Sequence, residues 1–361
     1  MTTSTTRSGA TAVTGGAPGG PSREPGRLPP RAPWIVLGVV LAAALLLGLS
    51  TGLNTGLLVV GALVLNVVVV YVWARAVEGP RAATDRTVTA IVASAFAVAM
   101  VPLASLLWTV ITLGTNRFDP QFFTYSMLGV VGEGGGAYHA IMGTLIVTGL
   151  ATLISVPIGI MTAVYLVEYG RGRLARAITF LVDVMTGIPS IVAGLFAVAL
   201  FTLIFGPGTR LGIMGAIALS VLMIPVVVRS VEEMLKIVPN ELREASYALG
   251  VSKWRTIVKV VLRTSVAGIA TGITLAIARV IGETAPLLIT LGATTGVNLN
   301  PFDGRMASLP VFSYYSYTQP GTPPEPGLDR AWAAALVLML IVMVLSLVAR
   351  LISRLFSPKI R

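Results

Sequence analysis

The chain has 361 residues, 55% of them hydrophobic and 11% charged, with a formal net charge of +11, one histidine and no cysteine. Soluble domains carry roughly a quarter of their residues as Asp, Glu, Lys and Arg, which excludes water as the main solvent here. The lack of cysteine excludes disulfides and thiolate metal sites, and a lone His139 argues against structural zinc.

Residues 1–33 are rich in Thr, Gly and Pro and carry Arg7, Arg23, Arg27 and Arg31. Such a segment buries too little apolar surface to fold, so a disordered tail is expected. It does not read as a secretory signal, because the apolar run starts only near Pro33 and no small-residue cleavage site follows. Apolar stretches then recur at 34–51, 55–76, 87–113, 138–167, 177–205, 211–231, 264–292 and 331–352. Each is about long enough to cross ~30 Å of hydrocarbon with ~20 residues. The expected fold is therefore an all-α membrane protein of about eight transmembrane helices. The expected organisation is a tail at 1–33, a two-span hairpin with its inner loop at 34–86, a span with an outer segment at 87–133, and a core at 134–361.

Cytoplasmic loops attract Lys and Arg. With the tail inside, the outer segments hold only Arg117, Arg210, Arg305 and Arg330, and Arg279 lies within a span. Every other Lys and Arg falls in the tail, an inner segment or the C-terminal end. Both termini are expected in the cytoplasm, and the positive charge is explained by topology without nucleic acid.

Some charges fall where lipid makes them costly. Asp183, Arg279 and Glu283 lie inside apolar spans, and Arg229 with Glu232 at the inner end of one. A charge near the bilayer centre costs at least ~2.5–3.5 kcal/mol on insertion scales and needs a partner or a wet cavity. Arg279 and Glu283 are four apart and Arg229 and Glu232 three apart, hence neighbours on a helix face. Two readings stay open. Each pair neutralises itself at a helix contact, or the arginines line a path and compensate an anion, for which a guanidinium offers a fork of donors. Asp183 reads more readily as a capping or backbone-satisfying residue than as a path residue. Pro157, Pro189, Pro225 and Pro286 interrupt four spans. The Gly-Ile-Pro-Ser run at 187–190 suggests a bend beside a passage.

The longest inner loop, residues 236–263, reads KIVPNELREASYALGVSKWRTIVKVVLR. Asn240 is placed to cap a short helix with Glu241 and Glu244 in its first turn. Gly250 supplies the left-handed residue that ends it, and Ser252 is placed to cap the next. A helix-turn-helix for DNA has similar spacing, but membrane spans tether this one at both ends.

Glu244-Ala245-Ser246 followed by Gly250 resembles the coupling loop of binding-protein-dependent ABC importers, whose pattern is Glu-Ala-Ala, three residues, then Gly. Ser246 departs from it, as does Arg263 where many relatives carry proline. VVRSVEEML (227–235), LREASYALGVSKWRTI (242–257), ARVIGETAPLL (278–288), EYGRGRLARAI (168–178) and GIPSIVAGLF (187–196) together resemble the PstA-type phosphate permeases, from about Gly134 to the end. The resemblance implies a type I importer core. It implies phosphate passage at Arg229, Glu232, Arg279 and Glu283, and ATPase coupling through Glu241, Glu244, Ala245 and Gly250. It also implies a second related permease, two ATPase subunits and an extracytoplasmic phosphate-binding protein as partners.

No Gly-x-x-x-x-Gly-Lys-Ser/Thr loop occurs, so ATP and Mg are expected on a partner ATPase and no cofactor on this chain. The reading is a transport subunit, not an enzyme. The alternatives are a permease for sulfate or molybdate, a secondary transporter or channel acting alone, and a scaffold. The outer segment 293–329 holds Phe302, Tyr314, Tyr315 and Tyr317, an interfacial belt or part of a docking surface. The glycines at 134–136 are expected to form a flexible lead into the next span, and His139 to be wet.

Overall fold

The computed structural model describes Pro29, residues 31–51 and residues 55–356. The expected tail up to residue 28 and the turn at 52–54 lie outside them. The described residues are helical, with no strand among them.

In chain order the helices are α1 (Ala32–Thr51), α2 (Thr55–Val77), α3 (Pro80–Gly114), α4 (Pro120–Thr124), α5 (Tyr138–Val164), α6 (Arg173–Thr186) and α7 (Ser190–Phe205). They continue as α8 (Gly212–Ile237), α9 (Asn240–Ala248), α10 (Lys253–Thr256), α11 (Leu262–Val280), α12 (Ala285–Thr290), α13 (Leu309–Thr318) and α14 (Glu325–Phe356). Single π-helical turns extend α5 to Tyr169 and join α10 to α11.

Six helices are long and apolar enough to cross a membrane, and α6 with α7 makes a seventh if the bent pair counts as one span. The expected count of about eight is reduced at the first span, where the apolar helix runs only over Ala32–Gly48. The expected continuous span at 177–205 is broken by 109° between α6 and α7. Gly187 closes α6, and Pro189, extended at ψ 138°, opens α7. The span expected at 264–292 also differs. Its helix stops at Val280, and Pro286 sits in the first turn of the short α12 rather than inside a long helix.

The chain divides into two compact units, one ending at Leu106 and the other starting at Leu107. In the first, Leu37, Leu63 and Ala93 form a small buried cluster. Beside them, Asn66 donates to the Ser94 hydroxyl at 3.1 Å, a polar contact between apolar helices.

In the second unit α8 is the hub. Of its apolar window 61% is buried, against 28% or less for each other crossing helix. It packs on α5 on one side and α11 on another, and small residues set both contacts. A Cβ on Gly159 of α5 would lie 2.6 Å from Val227 Cγ1, and one on Gly272 of α11 would lie 2.6 Å from Ser230 Cβ. Helix backbones approach closely in lipid only where such side chains are absent. Of the acidic residues on α8, Glu232 is buried in this packing and Glu233 is exposed.

Candidate functional site

Charged groups lie along α8 in two successive clusters. The first centres on Arg229. Its Nη1 donates to Glu232 Oε2 at 2.8 Å, and its Nη2 to Asp183 Oδ1 on α6. The other oxygen of Glu232 accepts from Lys236 Nζ at 2.7 Å. Positive and negative groups thus alternate through Asp183, Arg229, Glu232 and Lys236. Glu232 is buried and Asp183 open, with 60% of its side chain exposed. Asp183 and Glu232 both line a cavity of about 380 Å³, together with Arg176. Asp183 corrects the expectation from sequence, since its carboxylate meets an arginine on another helix rather than capping its own.

The second cluster lies about 6 Å further along α8, at Pro225, four residues from Arg229. Here Arg279, Glu283, Pro225, Thr186, Ile188 and Ser190 line a cavity of about 240 Å³. The bend between α6 and α7 forms one wall, so a bend beside a cavity stands where the Gly-Ile-Pro-Ser run suggested one. Arg279 and Glu283 are not neighbours on a continuous helix, as their spacing implied. α11 ends at Val280, and the Glu283 amide donates to the Val280 carbonyl at 3.1 Å across the break. Among the described residues neither side chain forms an ion pair, although both face the same small cavity. An unneutralised guanidinium beside a carboxylate in a narrow polar space can exchange one acceptor for another.

The helix–turn–helix between α8 and α11 has the anticipated form. Gly250 has φ +74°, its amide donates to the Tyr247 carbonyl at 2.9 Å, and the Val251 amide donates to that of Ser246 at 3.2 Å. This is a Schellman stop, which needs a left-handed residue. Two caps differ from expectation. Pro239 occupies the cap position before Asn240, and Ser252 precedes α10 without a side-chain cap bond. Glu241, Glu244, Ala245 and Gly250 are exposed, as are Leu249 and Trp254 nearby. Ser246, which stands where the pattern has alanine, is buried and shares a 2.8 Å hydrogen bond with the Thr256 hydroxyl. The polar substitution thus ties α9 to the following helix.

A stronger tie was not visible in sequence. Arg243 on α9 forms a 2.9 Å ion pair with Glu168 in the π-turn ending α5, and both side chains are nearly buried. The same guanidinium donates to the carbonyls of Leu235 and Val238 at the end of α8. Lys253 caps the turn from the other side, with Nζ 4.5 Å from the Tyr169 ring centre and donating to the Glu168 carbonyl. One arginine therefore joins the exposed helix to the ends of the two most closely packed spans.

The lead into α5 also departs from expectation. A Cβ on Gly136 would meet three carbonyl oxygens within 2.7 Å, so the glycines are a tightly packed turn. His139 is buried at 2% exposure and packs edge-on against Phe312. Among the described residues no group of His, Asp and Glu is arranged to hold a metal.

Apolar crossing helices, charged cavities along the central helix and an exposed helix pinned to its end define a solute permease. Residues 155–361 match the family model described as binding-protein-dependent transport system inner membrane component. The chain is 50% identical over 250 residues to "Phosphate transport system permease protein PstA 1" of Mycobacterium tuberculosis (strain CDC 1551 / Oshkosh), covering 68% of this chain and 81% of that one. It is 40% identical over 239 residues to the protein named PstA of Pasteurella multocida (strain Pm70), covering 66% and 83%. A chain of a bacterial alginate ABC transporter, solved with an alginate pentasaccharide-bound periplasmic protein, superposes with a TM-score of 0.54. It has 15% identity and covers 75% of this chain and 95% of that one, a likeness of fold alone. The chain belongs to the binding-protein-dependent importer permeases, in their PstA-type branch. It is a transport subunit rather than an enzyme.

Proposed function

We propose that this chain forms part of the path of an ATP-driven importer of inorganic phosphate. Arg229, Glu232, Arg279 and Glu283 serve that path, and Glu241, Glu244, Ala245 and Gly250 lie on the surface that engages an ATPase. The observation that carries the reading is Arg279, a guanidinium that has no ion-pair partner among the described residues and lines a cavity beside a bent span. A fixed cation in that position compensates a tetrahedral oxyanion as it loses water, and the adjacent Glu283 keeps the anion from binding too tightly to leave.

In this reading the core at 134–361 works with a second related permease, and two ATPase subunits bind ATP and Mg. A phosphate-binding protein delivers the anion outside, both termini lie in the cytoplasm, and the tail and hairpin at 1–86 are additions to the core. Closure of the ATPases moves α9, and through it the spans. The anion drives the switch only through unequal affinity for the two states.

Arg279→Ala is expected to abolish phosphate uptake in cells while the four-subunit complex still co-purifies. Retained uptake would return Arg279 to a structural role. Guanidinium chemistry suits sulfate and molybdate as well, so competition by those anions in the same assay separates the alternatives. Phosphate flux through liposomes holding this chain alone would favour a transporter that needs no ATPase.

A further inference from the structure

The four outer arginines run against the charge asymmetry that orients the chain, and two of them line one outer cavity with a third beside it. Arg305 and Arg330 line a space of about 670 Å³ between the start of α5, the segment after α12, α13 and the start of α14. Arg210 stands beside it: its Cγ and the Cδ of Arg305 both approach Gly292, which lines the cavity. The fourth, Arg117, is already neutralised by Asp119.

The lining is one-sided chemically. No Asp or Glu contributes to it, and its polar groups include His139, Ser308, Tyr315 and Gln319 beside the two arginines. Both inner cavities, by contrast, contain carboxylates. Arg330 is only 6% exposed, yet its protein partners are neutral. Nη1 donates to the carbonyls of Gly132 at 2.7 Å and Gly134 at 3.2 Å, and among the described residues Nη2 and Nε have no acceptor. Among the described residues, His139 Nδ1 and Ser308 Oγ, in buried residues of the same wall, also have no hydrogen-bond partner. A buried cation without a counter-ion is costly, and the spare N–H groups of its guanidinium call for a ligand made of acceptors.

We infer that this outer cavity is a reception site for an inorganic oxyanion, occupied before the anion reaches Arg279. The identity of that anion as phosphate rests on the function proposed above; the site itself rests on the lining. Two guanidiniums suit an anion carrying between one and two charges, and the cluster raises its concentration at the mouth of the path. An acidic loop of a delivery protein is the competing occupant.

The test is equilibrium binding of radiolabelled inorganic phosphate, and separately of sulfate, to the nucleotide-free importer complex in nanodiscs. Arg305→Ala changes an exposed side chain and is expected to weaken binding by about tenfold, the loss of one charge-assisted contact. Arg330→Gln is expected to do the same, whereas Arg279→Ala leaves this outer binding in place. Unchanged phosphate and sulfate binding in Arg305→Ala overturns the proposal. So does a loss confined to docking of the binding protein, which would make the cavity a protein socket. Arg305-dependent binding of sulfate but not phosphate would leave the outer site standing and sink the phosphate reading. Phosphate uptake with Arg305-independent binding would do the reverse.

Discussion

Arg229 is gripped from two sides, by Asp183 on α6 and by Glu232 on its own helix, and Glu232 is shared with Lys236. On the proposed path, an anion entering here would have to displace a carboxylate before it gained the guanidinium. Removing a competitor tips this balance. Asp183→Asn is expected to lower the KM for phosphate uptake and also its maximal rate, each by several fold, because the anion binds better and leaves more slowly. Initial-rate uptake over a range of phosphate concentrations checks it. A maximal rate that falls with KM unchanged would make Asp183 a packing residue only. Sequence could not supply this partner, because Asp183 and Arg229 are 46 residues apart and only the fold of α6 against α8 brings them together.

At the scale of elements, α9 is held by polar contacts more than by apolar burial. Its apolar residues Leu242 and Tyr247 are exposed, as is Leu249 just after it, while Ser246 bonds to Thr256 and Arg243 to Glu168. The face of α9 that bears Glu241 and Glu244 is exposed, and a nearly buried ion pair links the helix to the end of α5. Removing one partner of a buried pair costs about 3–5 kcal/mol because the other charge is stranded. Glu168→Gln is therefore expected to release α9 from α5, so that the assembled complex still hydrolyses ATP but imports several-fold less phosphate per ATP. Reversing both charges, Glu168→Arg with Arg243→Glu, should recover part of that coupling. An unchanged transport-to-hydrolysis ratio in Glu168→Gln would break the link. The turn after α9 was legible because a Schellman stop is local, announced by one glycine at the right spacing. The Glu168–Arg243 pair was not, since 75 residues separate its ends. Breaks were legible where proline and glycine coincide, at 187–189. They were hidden at 281–284, where the apolar run continues through Leu287, Leu288 and Ile289 after the helix has ended. Hydropathy registers solvent preference, not the continuity of a hydrogen-bond ladder.

For the whole molecule, the distribution of lysine and arginine proposes an orientation, with the loop bearing α9 in the cytoplasm. The arginines that this orientation would leave outside differ in their surroundings. Arg117 pairs with Asp119, Arg330 is buried on the carbonyls of a glycine turn, and Arg305 borders a cavity. The loop bearing α9 and the segment around Asp303 should then face opposite sides of the membrane, separated by the helix from Lys253 to Val280. The natural absence of cysteine makes this directly measurable. Ser252 and Asp303 are both exposed, so a thiol at either is reachable by reagent. In intact cells a membrane-impermeant maleimide is expected to label Asp303→Cys and to leave Ser252→Cys unlabelled until the membrane is permeabilised. Labelling of Ser252→Cys from outside would invert the topology. The exposed helix would then face away from any cytoplasmic ATPase, and the coupling role of Glu168 and Arg243 would fall with it.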